Sequence, residues 1–595
     1  MRRLPRMRRS LRRPLPALLA VSVFALAARL VWLGHRVAHQ DEARVADWIL
    51  QYMRLGTWEY RPIIHGPFLP HVNGVVFDVL GPSDFTMRLV PALFGALLPL
   101  AALLYRTRLR DDETIALGLL LAANPILLYY SRFMRNDLML AATMFVALGC
   151  FVRAWDTKRV RWLPVGAFAF GLGFTMKENA LLYPVAWLGA LLLVADARLV
   201  TGERGWVARV IGGAKAVYAW LVGLYDVALG DRSGSVSTHV RAGALAAYRN
   251  PVVRYVPLAL LLVLESLVVV VLFYAPKPDL WTALSGGRPL WPVLREATYG
   301  VWMEFTGTWT GTGMHSHSTV QFLGQLLEIT IAGAPALFPL ALAGFVYDRY
   351  ANSSPRDIVS LCAFWGLASL FGYAAITDIL AGWTAIHSVV PLAVPAAVAL
   401  ALVYRAARDA LATNKPALAA GAVTALVLTA GAVGAVGVGA AYGYDQSTEN
   451  PLVQYAQPGG DMKPVLADIH AVSDANDGVD VLFYGDTYYS SADTHYFNID
   501  DWDDPDDVGG AYPGWFARLP LPWYLDQYGS NVTSVETASD VPENPPPVVI
   551  TVDRDEDGLS DRLDGYDRYV YPRYLTDGHG NMVIYVERSA IPSED

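Results

Sequence analysis

The chain has 595 residues, of which 54% are hydrophobic and only 17% charged, and its mean hydropathy is +0.31. Soluble domains carry about 25% charged residues, so this shortfall over so long a chain argues for many membrane spans. It excludes a disordered, collagen-like or coiled-coil protein. Two cysteines, Cys150 and Cys362, both in apolar runs, exclude a disulfide scaffold and a cysteine-rich zinc site.

The net charge of −9 hides two parts of opposite sign: residues 444–595 hold 30 Asp and Glu against 7 Lys and Arg, and the rest holds 25 against 39. Such asymmetry suggests two domains in different solvents. Only six of the basic residues are Lys, and an acidic, Lys-poor soluble face suits a high-salt, halophilic setting. The basic residues are scattered along membrane-flanking loops and not gathered on one face, which argues against nucleic acid as a partner.

A bilayer core needs roughly 20 apolar residues per helix. Eleven segments qualify: 15–34, 85–105, 113–130, 134–152, 161–176, 179–196, 255–275, 330–347, 357–376, 384–404 and 416–441. The expected fold is a polytopic α-helical membrane protein of about 11 transmembrane helices, with a C-terminal extracytoplasmic α/β domain. Residues 1–443 form the transmembrane domain and 444–595 the acidic one.

Orientation follows from Lys and Arg. With the Arg-rich start in the cytoplasm, the cytoplasmic segments carry 27 basic residues and the opposite side 11 before residue 444, as the positive-inside rule requires. The loops 35–84 and 276–329 then lie outside, the stretch 197–254 is cytoplasmic, and an odd number of spans puts 444–595 outside. The basic start and the Ala25–Ala27 stretch also suit a signal peptide, but the apolar run is longer than a signal core, which favours a retained span. Trp206–Leu229 reads as amphipathic helix on the membrane surface.

Beyond residue 444 the β-branched and aromatic runs Asp480–Tyr484, Val548–Val552 and Met582–Val586 read as strands. Pro464–Ser473 and Trp523–Tyr528 read as helices. Their alternation suggests a small α/β domain. Asn531-Val532-Thr533 is an N-glycosylation sequon. Asp553, Asp555, Asp557 and Asp561 with Gly558 have calcium-loop spacing, although position 564 is Asp where such a loop ends in Glu.

Ionisable residues at membrane depth are costly, and apart from Arg29 and Glu265 the chain keeps them at outer span ends. Asp41 and Glu42 follow the first span; Arg132, Arg135 and Asp137 lie between the third and fourth; Lys177 and Glu178 join the fifth and sixth; His315 and His317 lie after the seventh and Asp378 after the ninth. Each has a blander account: an acidic helix start, interfacial arginines, a tight hairpin, solvent-facing loop histidines. Their coincidence on one predicted side favours chemistry. A carboxylate accepts a proton from an attacking hydroxyl, and cations stabilise a phosphate leaving group. Beside a membrane, that pairing suits glycosyl transfer from a polyprenyl-phosphate sugar.

Residues 41–72, DEARVADWILQYMRLGTWEYRPIIHGPFLPHV, resemble the first outer loop of the C-type membrane glycosyltransferases, the protein O-mannosyltransferase and aminoarabinose-transferase type. SDFTMRLVPALFGALLPL (83–100), YYSRFMRNDLMLAA (129–142) and GLGFTMKENALLYP (171–184) are similar to that family's second-span, aromatic–Ser-Arg–Arg–Asp and Gly–Lys segments. Within it, His65-Gly66-Pro67, Lys177-Glu178-Asn179 and NPLVQYAQ (450–457) look like the archaeal flippase activity-associated glycosyltransferase-like proteins.

The resemblance implies an inverting transferase that moves a hexose or pentose from a dolichyl-type lipid phosphate to a lipid-linked glycan or protein acceptor on the outer face. Asp41 would be the general base and Glu42 would orient the acceptor or the loop. His65, Arg132, Arg135 and Lys177 would bind the donor phosphate, and Asp137 and Glu178 would hold those cations. No metal is required by the resemblance, though the acidic pair leaves a divalent cation open. The segment 276–329 leaves no room for the mannosyltransferases' β-trefoil insert. Two other functions stay open: a non-catalytic partner in flipping lipid-linked oligosaccharides, which would bring in a flippase or another glycosylation protein, and a transporter. The chain shows neither an inverted repeat nor a midplane ion cluster, which speaks against the transporter.

Overall fold

The computed structural model describes residues 14–62, 65–200, 211–221, 251–309, 318–352, 355–377, 381–453, 456–489, 514–575 and 580–592. His315, His317, Asp378 and most of the amphipathic stretch Trp206–Leu229 lie outside the described residues; within that stretch 211–221 is helical.

A helix covers each apolar segment. The first four described helices are α1 (Pro14–Leu30), α2 (Gln40–Leu55), α3 (Phe68–Leu80) and α4 (Asp84–Leu97), the last running on to Tyr105. Among the described residues seven helices are long and apolar enough to cross a membrane, or eight if the bent pair Thr319–Gly333 and Leu337–Ala351 is one span. α1 and Trp162–Met176 are apolar but shorter. Two segments differ from continuous spans. The third, 113–130, breaks into Asp111–Ala123 and Pro125–Tyr130. Asn124 causes the break: its side chain accepts the N–H groups of Ile126 and Leu127 at 3.0 and 3.2 Å, and Pro125 opens the second piece. The eighth, 330–347, straddles a 94° bend at 334–336, where Pro335 supplies no N–H to continue the first helix.

Burial sorts the spans. Gly382–Ala412 is buried along 83% of its most apolar stretch and runs through the middle of the bundle. Its small residues (Ala393, Ala396, Ala397 and Ala401 are all buried) let neighbours approach closely. Val256–Tyr274 and Pro416–Gly443 are only 6% buried. Helices this apolar with so little protein contact need hydrocarbon around them.

The C-terminal part contains a five-stranded mixed sheet of β1 (Val481–Tyr484), β2 (Val532–Val535), β3 (Val548–Val552), β4 (Tyr566–Pro572) and β5 (Asn581–Glu587), in the order β2-β1-β3-β5-β4. β1 runs parallel to β2 and β3; β5 runs antiparallel to β3 and β4. Helices Lys463–Ala475 and Leu521–Tyr528 accompany it. The three strands expected from sequence are the central ones, and every residue of β1 and β3 is buried. The two edge strands, β2 and β4, are half-exposed and polar, so they lack the continuous apolar run that marks the others. Asn531 of the sequon is exposed at the start of β2.

Candidate active site

The short segment after α1 makes a sharp approach to α2. His39 caps α2: its Nδ1 accepts the Asp41 N–H at 3.0 Å, and its own N–H donates to Glu42 at 3.0 Å. This capping box fixes two consecutive carboxylates on the first turn, where the helix dipole favours them.

Glu42 is fully buried. Arg88 of α4 grips it with two bonds of 2.9 and 2.8 Å, Arg36 adds one of 2.8 Å, and the Met134 N–H another of 2.8 Å. Burial pushes this carboxyl up, but Arg36 and Arg88 outweigh it and hold it well below the carboxylate range. With the His39 N–H included, its acceptor positions are filled. Glu42 therefore ties the loop to α4 and to the 131–137 turn and presents no open edge to an acceptor.

Asp41 faces elsewhere. It is ion-paired with Arg44 at 2.9 Å and with Arg135. Burial raises its carboxyl; Arg44 and Arg135 reverse that and keep it ionised. Arg135 lies over the Trp383 ring, 3.4 Å from its centroid, and reaches Asp137 at 3.7 Å. Asp137, at the first turn of Asp137–Thr157, also accepts from Lys177 at 3.0 Å and meets His387 at 3.1 Å. Asp41, Arg135, Asp137 and Lys177 thus converge in one chain of alternating charge.

Three other expected residues stand apart from that chain or at its edge. Arg132 turns to the end of α1 and donates to the carbonyls of Arg29, Val31 and Trp32 at 3.0, 2.6 and 3.1 Å, with Tyr442 against its guanidinium. It caps a helix C-terminus and is not brought to Arg135. Glu178 makes its direct contacts elsewhere: Tyr60 donates to it at 2.7 Å, and His65 Nδ1 lies 3.8 Å away. The reason is local. Lys177 is extended, φ −161° and ψ 143°, so neighbouring side chains leave on opposite sides. His65 is held neutral by burial and by Lys177 and Arg135, at a left-handed φ of 65°. Next to it, Gly66 lies so close to the end of Trp162–Met176 that a Cβ would sit 2.4 Å from the Thr175 carbonyl oxygen. The His-Gly-Pro turn thereby packs directly behind Lys177.

Sequence reasoning missed His387, Tyr183 and Tyr373. Tyr183 bonds His387 Nδ1 at 2.6 Å, and Tyr373 stacks on its ring at a centroid distance of 4.1 Å. The signal available was one histidine inside a 31-residue apolar helix. Two of the acids with calcium-loop spacing have other partners: Asp555 accepts from Thr487 at 2.6 Å and Asp553 from Asn581 at 2.9 Å. Among the described residues no group of three or more His, Cys, Asp or Glu side chains is placed to hold a metal ion.

Comparison with known proteins meets this geometry from two directions. Residues 462–587 match the family described as Agl23 flippase-associated protein C-terminal domain. Residues 64–220 match the family described as Dolichyl-phosphate-mannose-protein mannosyltransferase. Both family resemblances are thereby shown. The mannosyltransferase match contains Arg135, Asp137 and Lys177, and the Agl23 match contains the whole sheet. No curated protein matches the chain by sequence.

Among solved structures, ArnT from Cupriavidus metallidurans in the apo state overlays with a TM-score of 0.52 at 16% identity, covering 98% of this chain and 99% of that one. ArnT bound to undecaprenyl phosphate gives 0.51 at 16%, covering 97% and 99%. The archaeal oligosaccharyltransferase AglB from Archaeoglobus fulgidus, in complex with an inhibitory peptide and a dolichol-phosphate, gives 0.48 at 14%, covering 97% and 75%. The ArnT likeness shows a common fold along the whole chain, that of a polytopic membrane protein with a C-terminal domain.

Proposed function

We propose that the protein is a membrane glycosyltransferase. It moves a sugar from a polyprenyl-phosphate donor to a lipid-linked glycan or protein acceptor on the outer face, with the C-terminal domain on that same side. One observation carries the reading: Arg135 bridges Asp41 and Asp137 while Lys177 pairs with the same Asp137. A base and two cations stand side by side, as a displacement at an anomeric carbon needs. Asp41 takes the acceptor hydroxyl's proton, the hydroxyl oxygen bonds to the anomeric carbon, and the bond to the phosphate oxygen breaks with its electron pair. One displacement inverts the anomeric centre. Arg135 and Lys177 take up the charge left on the phosphate, and Asp137 with His387 holds Lys177 in place. The ArnT complex with undecaprenyl phosphate supports a lipid phosphate as the donor's carrier.

A second reading has one observation in its favour, the Agl23 flippase-associated match over 462–587. In it the transferase fold serves the flipping of lipid-linked glycans beside a flippase. Lipid-linked and protein-linked glycans from cells carrying the wild type, a deletion and Asp41→Asn separate the two. Loss of one sugar in both altered strains supports transfer and names the donor's sugar. Wild-type glycans in Asp41→Asn, with export blocked in the deletion, support flipping. Chelation with EDTA in the transfer assay tests for a divalent cation.

A further inference from the structure

The stretch leading into Asp41 is buried, with Val37, Ala38 and His39 at 0% exposure, yet it belongs to no helix or strand. Its backbone groups must still be satisfied, and the far end of the chain does most of that. The Val37 N–H donates to Gln446 at 3.2 Å, the Ala38 N–H to the Tyr524 hydroxyl at 2.8 Å, and the Gln40 N–H to the Ala456 carbonyl at 3.4 Å. The Val37 carbonyl accepts from Gln457 Nε2 at 3.2 Å, and Gln457 Oε1 accepts from Arg36 at 2.6 Å. Arg36 in turn is one of the two arginines on Glu42. Tyr524 is also fastened below: it donates to Asp84 at 2.9 Å, Trp523 Nε1 donates to the other Asp84 oxygen at 2.9 Å, and Lys463 pairs with the same carboxylate. Asp84 opens α4, the helix that carries Arg88.

We infer that the C-terminal domain is a working part of the transfer site, with Tyr524 and Gln457 as positioning residues that set where Asp41 stands. A general base acts only within hydrogen-bond reach of the proton it takes, and a shift of about 1 Å costs roughly 100-fold. Tyr524 sets the backbone three residues before Asp41 and the start of α4 through one hydroxyl. Gln457 sets Arg36 and Val37 through one amide. The inference rests on the transferase reading for its effect on turnover, but not for its effect on the loop.

The test uses the full-length protein as wild type, Tyr524→Phe, Gln457→Ala and Tyr566→Phe. The Tyr566 hydroxyl donates to the carbonyls of Pro545 and Pro546, both in the C-terminal domain, so its variant removes a hydroxyl without touching the loop. Positioning predicts that Tyr524→Phe and Gln457→Ala each lower the turnover number about 10- to 100-fold, since each removes two buried hydrogen bonds. The donor KM stays within about twofold, and amide hydrogen exchange rises at 37–43. Tyr566→Phe changes none of these. Equal turnover losses in all three variants, or unchanged exchange at 37–43 in the first two, would overturn the inference. Should Asp41→Asn keep full activity, the transferase reading fails, and exchange at 37–43 alone then decides the positioning claim. If Tyr524→Phe does not fold, Gln457→Ala carries the same reading.

Discussion

Asp41 and Glu42 are adjacent acids on one helical turn, yet their surroundings are of opposite kinds. Around Glu42 each oxygen is filled by donors from three chain segments, and the residue is sealed from solvent. Around Asp41 the ion-pair partners, Arg44 and Arg135, are side chains, which on the proposed reading a phosphate or an acceptor would recruit. The difference teaches how a buried charge becomes chemistry. A carboxylate whose donors are fixed by the backbone and by doubly engaged guanidinium groups is structure. One held by cationic side chains alone is, on the proposed reading, the one available as a base.

Exchanging each acid for its amide breaks the comparison most strongly. Asp41→Asn is expected to lower transfer by about 100- to 10,000-fold, with the unfolding midpoint moving less than in Glu42→Gln. Glu42→Gln leaves Arg36 and Arg88 buried without their counter-charge, at a cost of about 3–5 kcal/mol, read as a large drop in thermal unfolding midpoint. Equal stability losses in the two variants would remove the distinction.

A smaller effect is expected on the donor side. Lys177→Met removes a charge-assisted contact of about 1.5–3 kcal/mol, so the donor KM should rise about 10- to 100-fold in a donor titration. An unchanged KM would take Lys177 out of the phosphate site.

The smallest effect separates the capping histidine His39 from Glu42 by pH. Burial lowers His39 from an ordinary 6.5 to about 4, so the fold keeps this ring neutral while the unfolded chain protonates. Stability therefore declines as pH falls from 6.5 towards 4 and not above 6.5. Glu42 is depressed from 4.5, so its contribution is intact above 4.5 and is lost only on further acidification. His39→Asn keeps a cap acceptor and should flatten the upper part of a stability-against-pH curve while leaving the lower part.

The positions of Asp41, Arg135, Asp137 and Lys177 were legible because each stands at a span end, where a charge is conspicuous against apolar neighbours. The division of labour between Asp41 and Glu42 was not, since it depends on Arg36 and Arg88, which no spacing links to them. Arg132 and Arg135 look alike in a Ser-Arg-Phe-Met-Arg run; only the turn that sends one to the α1 carbonyls and the other to Asp41 separates them. His387 is hidden by the opposite effect, a histidine inside a long apolar helix whose partners Asp137, Tyr183 and Tyr373 come from three other helices. Pro125 and Pro335 were readable breaks, but hydropathy averages over them. Among the strands, β1, β3 and β5 were visible as buried runs, whereas β2 and β4 at the sheet's edges carry the polar residues of a surface.

The bond from Ala38 to Tyr524 spans 486 residues. Chains are synthesised at about 5–20 residues per second, so the segment before Asp41 is made roughly half a minute to a minute and a half before its partner. Through that interval its N–H groups have only water or borrowed acceptors. The segment is therefore completed only when Tyr524 arrives, and a polypeptide cut short before that residue lacks the hydroxyl that holds Ala38, so on the proposed reading its base would not be set.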